Sequence, residues 1–199
     1  MREADLGDRE VLQSLTVRIA LAKRPVVLID GGSGSGKSTL ADALAPAIGA
    51  QLLRLEDVYP GWDGLEAAST ALHDGVLASE SPRWQSWDWA RGAGAAWHRL
   101  NPSQPLVVEG SGSLSRRNRR LATYGIWVDL DAAERRRRAI DRDGDRYAPH
   151  WDRWATQEAQ FAERERPSEL ADAIVDAAVG TVRFRATGLN AETGLNTPQ

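Results

Sequence analysis

The chain has 199 residues, of which 42% are hydrophobic and 27% charged, and its net charge is −3. That length and balance suit one globular domain with a sizeable core, and the mild acidity argues against nonspecific nucleic-acid binding. It contains no cysteine, which excludes disulfides, thiolate metal sites and cysteine nucleophiles.

The start, Met1 to Asp5, carries acids and no apolar leader, and no apolar run is long enough to cross a bilayer. Cytoplasmic residence without a membrane partner is the expectation. Residues 8–22 predict an amphipathic helix, with Leu12, Leu15, Ile19 and Ala22 on one face. Val26 to Ile29 form a β-branched run of the kind buried on both faces of a sheet. A glycine-rich loop leads into a helix from Lys37, which Pro46 should kink or end. Gln51 to Leu55 predict a second strand, and Leu65, Ala68, Leu72 and Val76 mark another helix. Residues 79–94 read as irregular, while Trp97 reads as a helical core residue. Leu106 to Val108, Gly125 to Leu130 and Ala173 to Val175 complete five strands, with helices at 115–122, 131–142 and 151–165. From residue 187 the polar, aperiodic tail is expected to fray. Short apolar strands alternating with helices indicate an α/β fold, a mostly parallel sheet with helices on both faces. Ligands of such sheets gather at the carboxyl ends of the strands.

At the end of the first strand stands Gly31-Gly32-Ser33-Gly34-Ser35-Gly36-Lys37-Ser38, a full match to G-x-x-x-x-G-K-[ST]. Glycines let successive backbone N–H groups turn toward phosphate oxygens, and the helix that follows adds the positive end of its dipole. Lys37 supplies a charge for the β- and γ-phosphates of ATP and is expected to face solvent without nucleotide. Ser38 supplies a hydroxyl ligand for Mg²⁺. The candidate nucleotide-binding set is Gly32, Ser33, Gly34, Ser35, Gly36, Lys37, Ser38 and Thr39.

Asp30 to Thr39, Asp57-Val58-Tyr59, Val107 to Gly110, and Asp129-Leu130-Asp131 with Arg135, Arg138, Arg142 and Arg146 together resemble the uridine kinase-like nucleoside and nucleotide kinases. The resemblance spans roughly residues 25–176. It implies a five-stranded parallel sheet closed by an arginine-bearing lid, here about 138–155, and ATP-dependent phosphoryl transfer. Tyr59 to Gly64 and Trp84 to Arg91 depart from that family's pattern, which leaves the acceptor open.

Other residues follow from position. Asp57, after strand two, can accept the acceptor hydroxyl's proton or organise Mg²⁺, or else cap a turn. Glu109 ends a buried strand, where an acid calls for a metal or an arginine; it joins Ser38 as a metal ligand. Arg138 and Arg142 are assigned to the transferring phosphoryl group and Arg146 to the nucleotide. The run Arg116, Arg117, Arg119 and Arg120 reads as a solvated helix face, or alternatively as a site for an acceptor phosphate. Tyr59, Trp87, Asp88, Trp89 and Arg91 are assigned to the acceptor, a ring stacking on a flat moiety and Asp88 holding hydroxyls; packing under a lid is the competing account. Two functions remain open. One is a kinase that moves the γ-phosphoryl group to a small nucleoside- or nucleotide-like acceptor; the other is a nucleotide-dependent switch without such an acceptor.

Overall fold

A computed structural model describes residues 9–185; the predicted polar tail from residue 187 lies outside them. Strands β1 (Val26–Asp30), β2 (Gln51–Arg54), β5 (Leu106–Glu109), β6 (Tyr124–Asp129), β7 (Ala173–Asp176) and β8 (Thr181–Phe184) form one sheet, and β3 (Arg83–Asp88) and β4 (Ala93–Arg99) form a separate hairpin. The large sheet runs in the order β2-β5-β1-β6-β7-β8. Its first five strands are parallel, with Val27 opposite Val107 and Ile29 opposite Ile126. The five expected strands are therefore present, and β8 adds a sixth, antiparallel to β7. Its Thr-Val-Arg-Phe alternation lacks the apolar run of a buried strand, because an edge strand packs only one face.

Alternation along β1 explains the two layers. Val26 and Leu28 enter a core with α3 (Leu65–Leu72) and α6 (Trp151–Glu165). Val27 and Ile29 enter a second core with α1 (Arg9–Ile19) and α2 (Lys37–Ala47). All four side chains are buried, and each such burial stabilises by about 1.5–3 kcal/mol. Pro46 lies in the last turn of α2 and ends it, as its missing N–H dictates. Among the described residues no helix is long and apolar enough to cross a membrane.

Three expectations need correction. Residues 79–94 are not irregular: most of them belong to the β3–β4 hairpin. There Trp84 pairs with His98 across the strands, and their rings stack with centroids 4.3 Å apart. Trp97 lies on β4 rather than on a helix, and it is 60% exposed rather than in the core. It pairs opposite Gln85, and the Arg83 guanidinium covers its ring at 5.0 Å. The helix predicted at 115–122 is a single turn, α4 (Arg116–Arg119), capped by the Ser115 hydroxyl. Two of its arginines pair with acids of the protein. Arg119 forks onto both Asp172 oxygens at 2.8 Å, and Arg117 meets Asp74 at 3.3 Å.

Candidate active site

The chain leaves β1 for α2 and β2 on one side, whereas β6 and β7 lie on the other, so the strand order reverses at the carboxyl end of β1. Crevices open at such points. Asp30, the last residue of β1, accepts hydrogen bonds from the amides of Gly31, Gly112 and Leu114, which ties the phosphate loop to the turn after β5. Complete burial pushes this carboxyl up to about 6, against the pull of those amides and of Lys37. Gly34 has φ +80° and abuts α5 (Ala132–Asp143); a Cβ there would lie 2.1 Å from the Arg135 carbonyl oxygen. Only glycine fits.

Lys37 is buried, not solvent-facing. Its ammonium curls back to donate to the Gly32 carbonyl at 3.0 Å, since a buried cation needs an acceptor. Beside it the Ser38 hydroxyl donates to Glu109 Oε1 at 3.1 Å. Burial raises the Glu109 carboxyl above its ordinary range, while Lys37 opposes that shift. A hydroxyl and a carboxylate facing each other beside a phosphate loop form an all-oxygen donor pair. That suits Mg²⁺, which takes few protein ligands and keeps its waters.

These groups open into a cleft of about 880 Å³. Its lining combines Lys37, Ser38 and Glu109 with the rings of Tyr59, Trp62, Trp89, Tyr147 and Trp154. Trp62 lies nearly parallel to Tyr147 and His150, with centroids 5.5 and 4.3 Å away, and leans on Trp89 at 4.9 Å. This stack joins the turn after β2, the hairpin tip and the segment between α5 and α6. Arg142, in the last turn of α5, and Arg146, from that segment, also line the cleft.

The structure brings together Ser33, Gly34, Lys37, Ser38, Glu109, Tyr59, Trp89, Arg142 and Arg146 from the sequence-derived set. The other loop residues, Gly32, Ser35, Gly36 and Thr39, complete the strand–loop–helix turn. Several predicted residues lie elsewhere. Asp57 ends an exposed 3-10 turn (Leu55–Asp57), outside the cleft lining, and its neighbour Glu56 lines the cleft instead. Asp88 Oδ1 accepts from the amides of Ala90 and Arg91 at 3.0 Å, which shapes the hairpin tip. Trp87, Asp88 and Arg91 are not part of the lining, and neither is Arg138, whose Nε donates to Glu134 on its own helix. Strand β3 ends at Asp88, so Trp89 stands in the hairpin turn, beyond the alternation that would have set Trp87 and Trp89 on one face.

Sequence reasoning missed Glu56, Trp62 and Glu158. Trp62 was legible, because it shares the short Tyr59-Pro60-Gly61-Trp62 turn with a residue already chosen. Glu158 stands one helical turn after Trp154, so both share a face of α6.

No protein-family model matches the sequence, and no curated protein matches it. Solved structures do. A structure described as a possible uridine kinase from Bacillus stearothermophilus superposes with TM-score 0.60 at 21% identity, covering 84% of this chain and 98% of that one. A candidate fructose transport system kinase from Silicibacter sp. TM1040 gives 0.51 at 22% identity, over 83% and 94% of the two chains. The chain has the fold of these proteins.

Proposed function

We propose that the protein is an ATP-dependent phosphotransferase that moves the γ-phosphoryl group to a hydroxyl or phosphate of a small nucleoside- or nucleotide-like acceptor. The observation that carries this reading is one cleft lined both by phosphate-loop residues (Ser33, Gly34, Lys37 and Ser38) and by aromatic rings. A switch protein has no need of the rings. In this reading the amides from Gly34 onward and the Lys37 ammonium bind the ATP phosphates. Ser38 and Glu109 would hold Mg²⁺, which when bound offsets phosphate charge. Arg142 and Arg146 stabilise negative charge on the transferring group.

Glu56 takes the role first given to Asp57. Its carboxylate accepts the acceptor hydroxyl's proton as the oxygen bonds to the γ-phosphorus; the bond from that phosphorus to the β–γ bridging oxygen breaks, and ADP leaves. Support for the choice is that Glu56 lines the cleft and acts electrostatically on both Glu109 and Arg142. The rings of Trp89, Trp154 and Tyr59 offer surfaces for a flat or ring-shaped acceptor. Small-molecule substrates, no nucleic-acid partner and a cytoplasmic site of action belong to the same proposal. The test is a coupled ADP-release screen over nucleosides, nucleoside monophosphates and sugars at fixed Mg-ATP. Acceptor-dependent ADP release is expected. ATP hydrolysis indifferent to every acceptor, with a protein partner captured only when ATP is present, would return the protein to the switch class.

A further inference from the structure

Both backbone groups of Ser33 are already held by side chains. Its N–H donates to Glu158 Oε1 at 2.7 Å, and its carbonyl accepts from Arg135 Nη1 at 3.2 Å. The two side chains form an ion pair at 3.4 Å. Glu158 Oε1 further accepts from the Ser111 hydroxyl at 2.8 Å and the Trp154 indole at 3.0 Å. Arg135 Nε donates to the Leu130 carbonyl at 3.3 Å. The guanidinium lies so close that a Cβ on Gly32 would fall 2.1 Å from Nη1. Glu158 and Arg135 are mostly buried, with side chains 10% and 20% exposed.

This arrangement has a consequence for the phosphate loop. The Ser33 N–H and carbonyl belong to successive peptides, and neither can rotate without breaking a charge-assisted bond, the stronger class in proteins. The Ser33 N–H therefore points at Glu158 instead of contributing to the phosphate cradle, and the cradle begins at Gly34. A loop whose first peptide is fixed in advance meets phosphate with less ordering cost, so it binds more tightly. Four elements meet at one carboxylate: the loop, the turn after β5, α5 through Arg135, and α6 through Trp154, whose ring also lines the cleft.

We infer that Glu158 is a positioning residue for nucleotide binding: with its ion-pair partner Arg135 it fixes the peptides on either side of Ser33 and so sets the phosphate loop in its binding shape. The inference rests on the loop being the nucleotide site, which ADP binding by the wild-type protein tests separately. The experiment combines ADP titration calorimetry with amide hydrogen exchange on wild-type, Glu158→Gln and Glu158→Ala proteins, with thermal unfolding as a check on folding. Glu158→Ala is expected to weaken ADP binding roughly tenfold or more, the scale set by losing hydrogen bonds to a charged acceptor. Glu158→Gln keeps a carbonyl oxygen for Ser33 and Ser111, so it should recover much of that loss. In the free wild-type protein the Ser33 amide should exchange more slowly than that of Gly34. Glu158→Ala should abolish that difference, and ADP should not restore it.

Wild-type protein that fails to bind ADP would sink the proposed function. Wild-type binding with Glu158→Ala equal to it in affinity would overturn the positioning role alone. A Ser33 amide that exchanges freely until ADP protects it would also overturn it, by making that amide a phosphate ligand. Should Glu158→Ala fail to fold, Glu158→Gln decides through the Ser33 exchange rate, which must stay slow in the free protein.

Discussion

Adjacent acids after β2 have different fates because a 3-10 turn sends successive side chains in directions about 120° apart. The turn Leu55–Asp57 buries Leu55 and exposes both acids, but only Glu56 lines the cleft. Spacing alone could not choose between the acids, since a strand continuing one residue further would have reversed them. The choice is testable by kinetics once an acceptor is known. Glu56→Gln should lower kcat by about a hundredfold or more, the range for a lost general base, with little change in ADP affinity. Asp57→Asn should stay within a few-fold of wild type. The reverse ranking would restore Asp57 to the role. Lys37 offers a second test at this scale. Its ammonium bonds within the loop in the free protein, so Lys37→Ala loses that contact as well as the phosphate partner. Phosphoryl transfer should fall by on the order of a hundredfold, as it does when an electrostatic stabiliser is removed, and circular dichroism should report an intact fold.

Among the elements, the parallel strands were legible and the hairpin was not. A strand buried on both faces writes itself as a run such as Val26-Val27-Leu28-Ile29, and β5 and β6 follow the same rule. The hairpin β3–β4 stands apart from the main sheet and exposes every residue of β4, so it carries no such run. Its signal was the turn Asp88-Trp89-Ala90-Arg91-Gly92, where Asp88 caps the following amides and Gly92 has φ +62°. The phosphate loop was legible as a motif, yet the reason for its glycines was not. Gly32 and Gly34 fit against Arg135, a partner about a hundred residues away whose place only the fold reveals. Two substitutions separate that contact from backbone strain. Gly49→Ala meets open space at φ +64° and should cost about 1–2 kcal/mol, the penalty of a left-handed non-glycine residue. Gly34→Ala carries comparable strain and in addition drives a methyl into the Arg135 carbonyl, so denaturant unfolding should find it clearly less stable than Gly49→Ala. It should also lose most ADP affinity, whereas Gly49→Ala keeps it. Equal stability of the two variants would mean that α5 yields freely to the loop.

Over the whole molecule, the loop, the turn after β5 and the core of the sheet converge on one buried carboxyl, that of Asp30. Folding removes it from water, and burial lifts it from 3.8 to about 6 although three backbone amides and Lys37 favour its charged form. The sign follows from proton linkage. Between those two values the folded protein binds more proton at this site than the unfolded chain does, so the group's contribution to stability is complete below about 3.8 and is lost as pH rises through about 6. Glu134 works in the opposite sense. Arg137 and Arg138 hold its carboxyl at about 2 against an ordinary 4.5, so its contribution is present above 4.5 and fades only as pH falls toward 2. The interval from about 4.5 to 6.5 therefore isolates Asp30 from Glu134. Asp30→Asn cannot titrate there but retains an oxygen for the amides of the loop and turn. Urea unfolding of both proteins across that interval should give a stability difference that changes steadily, with the wild type losing ground to the variant as pH rises, and then levels above about 6.5. Parallel curves throughout would mean that Asp30 holds the same charge in the folded and unfolded chain. The amides of Gly31, Gly112 and Leu114 would then suffice to keep it ionised in the interior.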